Sequence, residues 1–276
     1  MIRIIKLTAF ILVSFVFLFA AVAAKVFAIA FRGNEKIVLA HLTSVWAKIL
    51  LFILNIDVNE RIVSKPRPFR NYLFVANHQS YLDIIVMASL YPTLFVAKKE
   101  VKSWALLGWL ATLGGTLYID RATLRGGVYA SIGVAQYLEQ GVNVQIFPEG
   151  TSTDGSTVLP FKPFLFKAAF DTGKEILPVT INYLSINNQL FNTINKDIVC
   201  WYGNMEFIEH FWNVLRQKSM SVSVVTHAPI HSHNESSLQM LAQSVHQKVV
   251  AGRLVQDEIQ VKSEVENILF TEPVSL

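Results

Sequence analysis

Several features that mark other classes of protein are missing from this sequence or scarce in it. Cys200 is the only cysteine, which excludes an internal disulfide and gives no support to an oxidising compartment. The sequence has neither the Gly-x-Ser-x-Gly elbow of serine hydrolases nor the lysine and spacing of a Walker phosphate-binding loop. It also has no basic stripe interleaved with aromatic residues, so we expect no nucleic-acid partner.

Charged residues are scarce as well, at 16% of the chain against 52% hydrophobic residues. This balance is too apolar for an ordinary soluble domain and predicts contact with a membrane. The net charge of +4 is a mild excess that suits an anionic lipid surface. With 276 residues, the chain is long enough for one large domain or two small ones.

The N-terminus holds the longest apolar run. Residues 7–24 carry no charge and the run resumes after Lys25, which is long enough to cross a bilayer core that needs about 20 residues. A cleaved signal peptide is the alternative, because Arg3 and Lys6 precede the run and residues 21–23 read Ala-Val-Ala. The length of the run favours a membrane anchor.

A second apolar segment, residues 42–56, is short for a membrane span. It fits a helix at the membrane interface and a core helix on the globular part equally well. We therefore predict N-terminal membrane-anchoring helices over residues 1–60, a globular domain over 61–255 and a tail over 256–276.

In the globular part, short β-rich runs alternate with helical patterns. The alternation predicts an α/β domain with a mostly parallel or mixed central sheet of about seven strands flanked by helices, preceded by an N-terminal membrane helical hairpin. The predicted strands are Tyr72–Ala76, Leu94–Ala97, Thr116–Ile119, Asn143–Phe147, Ile176–Ile181, Val199–Tyr202 and Ser221–His227. The predicted helices are Tyr81–Leu90, Trp104–Leu113, Leu124–Gln140, Phe164–Thr172, Glu206–Gln217 and Ser236–Leu254.

Polar clusters follow four of the predicted strands directly. The carboxyl ends of parallel strands meet at one edge of a sheet, where α/β proteins place their ligand sites. Any one cluster is typical of a polar loop, but four at the same topological position predict one functional site. The clusters are His78 with Asp83, Lys98-Lys99-Glu100, Asp120 with Arg121, and Pro148-Glu149-Gly150-Thr151.

His78 and Asp83 have the chemistry of a base and of the group that orients it. On a helix, residues five apart point about 140° away from each other, so His78 reaches Asp83 only from a loop before the first helical turn. Ser80 and Asp83 also form a capping-box pattern, which predicts a helix start at this place. The two hypotheses are compatible, because the cap would hold Asp83 beside the loop that carries His78.

The segment from Phe147 to Ser152 adds an acid to the predicted site. Pro148 ends the strand because it lacks a donor, and Gly150 permits close approach of the backbone to a ligand. Glu149 is the lone acid of this turn and can accept a hydrogen bond from a substrate hydroxyl.

His227, His231 and His233 invite a metal hypothesis. Pro229 lies between the first two and prevents the helical spacing that would bring them to one face, which favours a histidine-rich loop. We predict no metal site. Cys200 ends an apolar run with no histidine nearby in sequence, so we expect a small buried hydrophobe rather than a nucleophile.

Four segments also carry a resemblance to a known family. They read Asn-His-Gln-Ser-Tyr-Leu-Asp at 77–83, Gly-Thr-Leu-Tyr-Ile-Asp-Arg at 115–121, Phe-Pro-Glu-Gly-Thr-Ser at 147–152 and Ile-Leu-Pro-Val-Thr-Ile at 176–181. In this order they resemble the four motifs of the glycerolipid acyltransferase superfamily, in particular of bacterial 1-acylglycerol-3-phosphate acyltransferases. The resemblance covers roughly residues 71–183 and includes a matching N-terminal hairpin.

The resemblance implies transfer of a fatty acyl group to 1-acylglycerol-3-phosphate, giving phosphatidic acid. It implies His78 as general base, Asp83 as its orienting partner, and acyl-CoA or acyl-carrier protein as donor substrate with no further cofactor. Arg121 would bind the acceptor's phosphate, and Lys98 is a second cation by its position. The complete set of expected substrate-binding residues is Lys98, Arg121, Glu149, Gly150 and Thr151.

The expected partners are a membrane lysophospholipid and the acyl donor. A thioester is already activated, so attack by the acceptor hydroxyl needs a base and no enzyme nucleophile. The expected location is the cell inner membrane, with the catalytic domain facing the cytoplasm. There the hairpin would let the site take up an amphipathic lysolipid and release a two-chain product.

Two departures from the family pattern leave other acceptors open. Ser152 stands where many relatives have arginine, and the frequent Phe-Lys-x-Gly becomes Phe161-Lys162-Pro-Phe. Loss of an arginine removes a bidentate phosphate donor. A non-phosphate acceptor such as lyso-ornithine lipid is therefore the alternative. A non-catalytic lipid-binding protein on the same fold is a further alternative. The presence of His78, Asp83, Glu149 and Gly150 together in one chain argues against it.

Overall fold

The structure is a computed structural model that describes residues 1–68, 70–120 and 124–253. The α-helices of this part are α1 Ile2–Phe31, α2 Glu35–Leu54, α3 Leu82–Leu90, α4 Ala105–Leu113, α5 Leu124–Glu139, α6 Lys167–Thr172, α7 Phe207–Val214 and α8 Leu238–Ala251. Its strands are β1 Ile56–Ile62, β2 Leu73–Ala76, β3 Leu94–Lys98, β4 Leu117–Ile119, β5 Val144–Ile146, β6 Glu175–Ile186, β7 Gln189–Leu190, β8 Met220–Thr226 and β9 Ile230–His231. The predicted tail lies outside the described residues.

These strands form one mixed sheet in the order β1-β8-β6-β2-β5-β3-β4, with β7 and β9 paired to β6. β2 pairs in parallel with β5 and β6, and β3 pairs in parallel with β4 and β5. β8 runs antiparallel to β6 and parallel to β1. The predicted fold class is confirmed, and the carboxyl ends of β2, β3, β4 and β5 meet at one edge, as the site hypothesis requires.

The two faces of the sheet carry separate apolar cores. Leu73 and Val75 of β2 pack with side chains of α5, α6 and α8, whereas Phe74 and Ala76 pack with α1, α2 and α3. Alternate residues of a strand point to opposite faces, so a fully apolar β2 buries both of its sides. The sheet is therefore the middle layer between two sets of helices.

The predicted strand Val199–Tyr202 is wrong, because this segment is a loop after a 3₁₀ turn at Lys196–Ile198. Its β-rich composition is overridden by its hydrogen bonds. The Cys200 N–H donates to the Lys196 carbonyl at 2.8 Å, and the Trp201 N–H donates to the Gln79 carbonyl at 2.8 Å. The second bond attaches this loop to the segment that carries His78.

Strand β1 was not predicted. Four of its seven residues are charged or amides, a composition typical of a linker, yet all seven pair in register with β8. Glu60 is partly buried, and its carboxylate accepts hydrogen bonds from the hydroxyls of Tyr91 and Thr226. β1 also crosses residue 60, where the sequence placed the boundary between anchor and globular domain.

Helices α1 and α2 form the predicted hairpin, and each is long and apolar enough to cross a membrane by length and composition. Arg32 ends α1 in the left-handed conformation at φ 52°, and the Asn34 side chain caps α2 by accepting from the Lys36 N–H. Two residues thus separate the end cap of one helix from the start of the next.

Both ends of the hairpin contact the globular part. At the base, Lys6 Nζ donates to the carbonyls of Leu54 at 2.8 Å and Gln217 at 2.9 Å. At the tip, Asn34 Nδ2 donates to the Gln140 carbonyl at 3.1 Å. The hairpin therefore lies lengthwise along one face of the domain, with α2 packed on α3. Its outer face exposes a row of large apolar side chains, among them Leu12, Phe15, Val16, Phe19, Val26 and Phe27.

Candidate active site

The chain leaves the sheet immediately after β2. Asn77 is buried and its side chain continues the ladder that the backbone abandons: Nδ2 donates to the Ile181 carbonyl at 3.0 Å, and Oδ1 accepts from the Ile181 N–H at 2.8 Å. The backbone of His78 is thereby free to turn into a loop over the sheet edge, before α3 begins at Leu82.

The structure brings His78 and Asp83 together across this loop. His78 Nδ1 lies 2.8 Å from Asp83 Oδ2, and the same oxygen accepts from the N–H groups of Gln79 at 2.7 Å and Ser80 at 2.9 Å. Asp83 is fully buried, whereas 20% of the His78 side chain is exposed. An ionised carboxylate only accepts, so Nδ1 carries the proton and Nε2 keeps a free lone pair.

The capping box forms in a modified version. Asp83 accepts the Ser80 N–H as a capping residue does, but the Ser80 hydroxyl accepts from the Leu82 N–H at 3.3 Å instead of from Asp83. One carboxylate oxygen thus starts the helix and orients the imidazole at the same time. The ring of His78 is also stacked on Phe147, with centroids 4.2 Å apart and planes 15° apart.

Glu149 connects the loop after β5 to the loop that carries His78. Its Oε1 accepts from the His78 N–H at 2.7 Å, and its Oε2 accepts from the Leu159 N–H at 2.8 Å. The residue is only 3% exposed. Burial raises the pKa of Glu149 to about 7, although both N–H donors favour the charged form.

Further bonds join the loop after β5 to the His78 loop and to residues 196–201. The Thr153 N–H donates to the His78 carbonyl at 3.0 Å, and the Ser152 hydroxyl donates to the Trp201 carbonyl. Lys196 forms an ion pair with Asp154 and is the main cause of an Asp154 pKa of about 2. The backbone around His78 is therefore held from three segments of the chain.

Comparison with known proteins places this geometry in a family. A family model described as "Acyltransferase" matches residues 58–182. A lyso-ornithine lipid O-acyltransferase of Brucella abortus is 32% identical over 186 residues, which cover 65% of this chain and 70% of that protein. The chain belongs to the glycerolipid acyltransferase superfamily.

This chain is also similar to two further acyltransferases. A 1-acyl-sn-glycerol-3-phosphate acyltransferase of Neisseria gonorrhoeae is 33% identical over 164 residues, covering 59% of this chain and 62% of that protein. The crystal structure of the 1-acyl-sn-glycerophosphate acyltransferase PlsC from Thermotoga maritima superposes with a TM-score of 0.60 at 24% identity. The superposition covers 94% of this chain and 98% of the PlsC chain, so the two proteins share a fold.

Those of the other predicted site residues that the structure describes lie at the same sheet edge. Lys98 ends β3, with Nζ 5.8 Å from the centre of the Trp104 ring. Thr151 is exposed, and its hydroxyl donates to the Ser152 carbonyl at 3.4 Å. Arg121, the residue predicted to bind phosphate, lies outside the described residues.

Gly150 has a backbone that favours glycine, with φ at +80°. A methyl group placed on it would lie 2.4 Å from Lys162 Nζ, so this ammonium group sits directly over the turn. Lys162 comes from the Phe161-Lys162-Pro-Phe segment, and its N–H donates to the Pro148 carbonyl at 2.9 Å. The lysine is therefore the described cation nearest to the Glu149-Gly150 turn in the acyltransferase.

Residues that sequence reasoning missed are joined to the site by contacts between distant parts of the chain. Tyr183 donates to Asp83 Oδ1 from 100 residues away, and Arg253 donates to the carbonyls of Gly155 and Ser156 from the end of α8. No local sequence pattern predicts either contact. Asn77 could have been found, since a buried amide directly after an apolar strand predicts a backbone partner.

The histidine-rich loop of the acyltransferase separates its imidazoles. His227 Nε2 lies 2.9 Å from the Thr180 hydroxyl, His231 lies 3.2 Å from Glu175, and His233 contacts the Phe170 carbonyl. In the part of the chain that the structure describes, no three histidine, cysteine, aspartate or glutamate residues form a group that could hold a metal ion. Cys200 is buried, and burial raises the pKa of its thiol.

Proposed function

We propose that this protein transfers a fatty acyl group from an acyl thioester to the free hydroxyl of a lysophospholipid, with His78 as general base. The observation that carries the proposal is the His78–Asp83 pair. It fixes the proton on Nδ1 and leaves Nε2 able to accept one, on a side chain that is partly exposed at the ligand edge of the sheet.

The reaction balances without an enzyme nucleophile. His78 Nε2 accepts the proton of the acceptor hydroxyl while that oxygen attacks the thioester carbonyl carbon. A carbon–oxygen bond forms, the carbon–sulfur bond breaks, and the leaving thiolate takes the proton from the imidazolium. The products are the two-chain lipid and a free thiol, from coenzyme A or from a carrier protein, and His78 returns to its starting state.

The preferred acceptor is 1-acylglycerol-3-phosphate, giving phosphatidic acid. Lys162 supplies positive charge at the Glu149-Gly150 turn, where a phosphate would be stabilised, and Lys98 adds a second cation at the carboxyl end of β3. We propose the same role for Arg121. The Neisseria gonorrhoeae relative, by its name, uses this acceptor.

A lyso-ornithine lipid is the second candidate acceptor. Ser152 has a neutral hydroxyl that is already bonded to the Trp201 carbonyl, so this position offers no charge to a phosphate. The Brucella abortus relative carries the name of a lyso-ornithine lipid acyltransferase. The two acceptors differ in headgroup charge, so one assay can separate them.

The hairpin supports a location at the inner membrane. Its exposed side chains are mostly large and apolar, and its inner face packs on the domain that holds His78. We propose that the exposed face enters the membrane and holds the site at the lipid surface, with the catalytic domain on the cytoplasmic side. The acyl donor would then come from the cytoplasm.

An acceptor panel tests the proposal. Sealed inner-membrane vesicles that carry the protein, prepared in both orientations, are supplied with acyl-CoA or acyl-carrier protein and either lysophosphatidic acid or lyso-ornithine lipid. We expect free thiol and phosphatidic acid with the first acceptor, and only when the cytoplasmic face is outward. Product from lyso-ornithine lipid alone would transfer the proposal to the second acceptor. No product from either, with His78→Ala vesicles as the blank, would favour a non-catalytic lipid-binding protein.

Two glycines offer a matched test of the Lys162 position. Gly150 and Gly141 have φ near +80°, but an added methyl meets Lys162 only at Gly150 and finds nothing within 4 Å at Gly141. Either alanine variant should lose about 1 kcal/mol of unfolding free energy through backbone strain. Only Gly150→Ala should raise the KM for lysophosphatidic acid, by about five- to tenfold. Equal KM values in both variants would remove Lys162 from the acceptor site.

A further inference from the structure

Asp83 has more hydrogen-bond partners than the pairing with His78 requires. Oδ2 accepts three N–H donors, from His78, Gln79 and Ser80. Oδ1 accepts the hydroxyl of Tyr183 at 2.7 Å. The three donors restrain Oδ2, and the Tyr183 hydroxyl adds the restraint on Oδ1, so bonds to both oxygens oppose rotation of the carboxylate about its Cβ–Cγ bond.

Tyr183 is placed for this contact by an extension of the sheet. β2 ends at Ala76, which pairs with Val179, whereas β6 continues for seven more residues beyond that point. The register between β6 and β8 shifts between Tyr183 and Ser185, and such irregularities re-aim side chains next to functional sites. The phenol on this strand reaches Asp83 in the first turn of α3.

The environment of Tyr183 keeps its hydroxyl a donor. The residue is only 2% exposed, and its ring lies 6.1 Å from that of Phe191. Burial, followed by the charge of Asp83, raises the pKa of Tyr183 well above its ordinary value. The phenol therefore stays protonated across the pH range in which an acyltransferase would be assayed.

We propose that Tyr183 is a positioning residue for acyl transfer, because its hydroxyl holds the Asp83 carboxylate at the rotation that presents Oδ2 to His78. The kinetic part of this proposal rests on the proposed function. The hydrogen-bond chain from Tyr183 through Asp83 to His78 is a property of the folded protein and can be measured without any substrate.

The test compares Tyr183→Phe with Tyr72→Phe in the full-length, detergent-purified protein. Tyr72 is equally buried in the same core, and its hydroxyl accepts the Arg67 N–H at 2.8 Å, at the opposite end of β2. We expect Tyr183→Phe to lower kcat about tenfold, the low end for loss of a hydrogen bond to a charged group, with both KM values unchanged. Tyr72→Phe should leave kcat within about twofold of wild type.

Two further measurements separate positioning from a merely structural role. In an Asp83→Asn background the effect of Tyr183→Phe on kcat should shrink to less than about twofold, because its partner is already altered. Nitrogen-15 NMR of the His78 ring, assigned by its loss in His78→Gln, should show a smaller share of the Nδ1–H tautomer in Tyr183→Phe but not in Tyr72→Phe.

The outcomes distinguish this proposal from the proposed function. Equal kcat losses in the two tyrosine variants, or an unaltered His78 tautomer in Tyr183→Phe, would overturn the positioning role. If the wild-type protein shows no acyl transfer at all, the proposed function fails, and the NMR comparison still decides whether Tyr183 orients the pair.

Discussion

Replacing His78 by alanine is expected to lower kcat for acyl transfer by about a hundred- to ten-thousandfold, the range that removal of a general base produces. The structure gives the reason. His78 Nε2 is the ring nitrogen left free after Nδ1 has been committed to Asp83, and Phe147 stacks against the ring and holds its plane. Without the imidazole, the acceptor hydroxyl must attack while it still carries its proton. The KM values for lysolipid and donor should change little, because His78 acts on the reacting atoms.

The measurement is single-turnover release of free thiol, so that slow product release does not hide the chemical step. His233→Ala is the matched control, because it also removes a hydrogen-bonded imidazole, in this case one that contacts the Phe170 carbonyl at an exposed position away from the site. It should keep wild-type kcat. If His78→Ala retains kcat within about threefold of wild type, another group must take the proton, and the general-base assignment is wrong.

The part of the site that the sequence could predict is the part built from local contacts. His78 and Asp83 are five residues apart, and the argument that a regular helix cannot join them places His78 in the loop where the structure has it. The convergence of the four strand ends also followed from sequence, since parallel strands share an edge. Both inferences need only neighbouring residues and one rule of topology.

The rest depends on contacts that no local pattern encodes. Residues 199–202 have the composition of a strand, but the Trp201 N–H donates to the Gln79 carbonyl, 122 residues away in the chain. Tyr183 is an ordinary strand tyrosine until β6 is seen to run past the end of β2. Strand β1 has the composition of a linker, and only its register with β8 shows where Glu60 goes.

Glu149 shows how a correctly chosen residue can have a different use from the one its sequence suggests. An acid on a glycine turn is expected to face a substrate hydroxyl. In the structure each of its two oxygens accepts a backbone N–H, one of them from His78 itself. Its direct task in the fold is to hold the loop that carries His78, and contact with the acceptor stays a prediction.

A Glu149→Gln substitution should therefore reduce activity through the position of His78. Glutamine has one carbonyl oxygen and one NH₂ group, so one of the two backbone N–H donors must face another donor and lose its acceptor. If the His78 loop shifts as a result, we expect kcat to fall about ten- to a hundredfold, because small misplacements of a catalytic group have effects of this size. Glu139→Gln, on the exposed end of α5, is the control and should keep wild-type kcat.

The same variant carries a pH signature in stability. The pKa of Glu149 is raised from an ordinary 4.5 to about 7 in the folded protein, so between these values the folded state binds a proton that the unfolded state has released. The free energy of unfolding therefore falls as the pH rises from about 4.5 to 7, by at most about 3 kcal/mol from this group. Glu149→Gln cannot ionise and should lack that decline. The measurement is thermal unfolding followed by tryptophan fluorescence at pH 5 and pH 8. Between these pH values Tm should drop more for wild type and for the control Glu139→Gln than for Glu149→Gln. An identical drop in all three proteins would mean that Glu149 is ionised in both states over this range, and that its buried position does not penalise the charge.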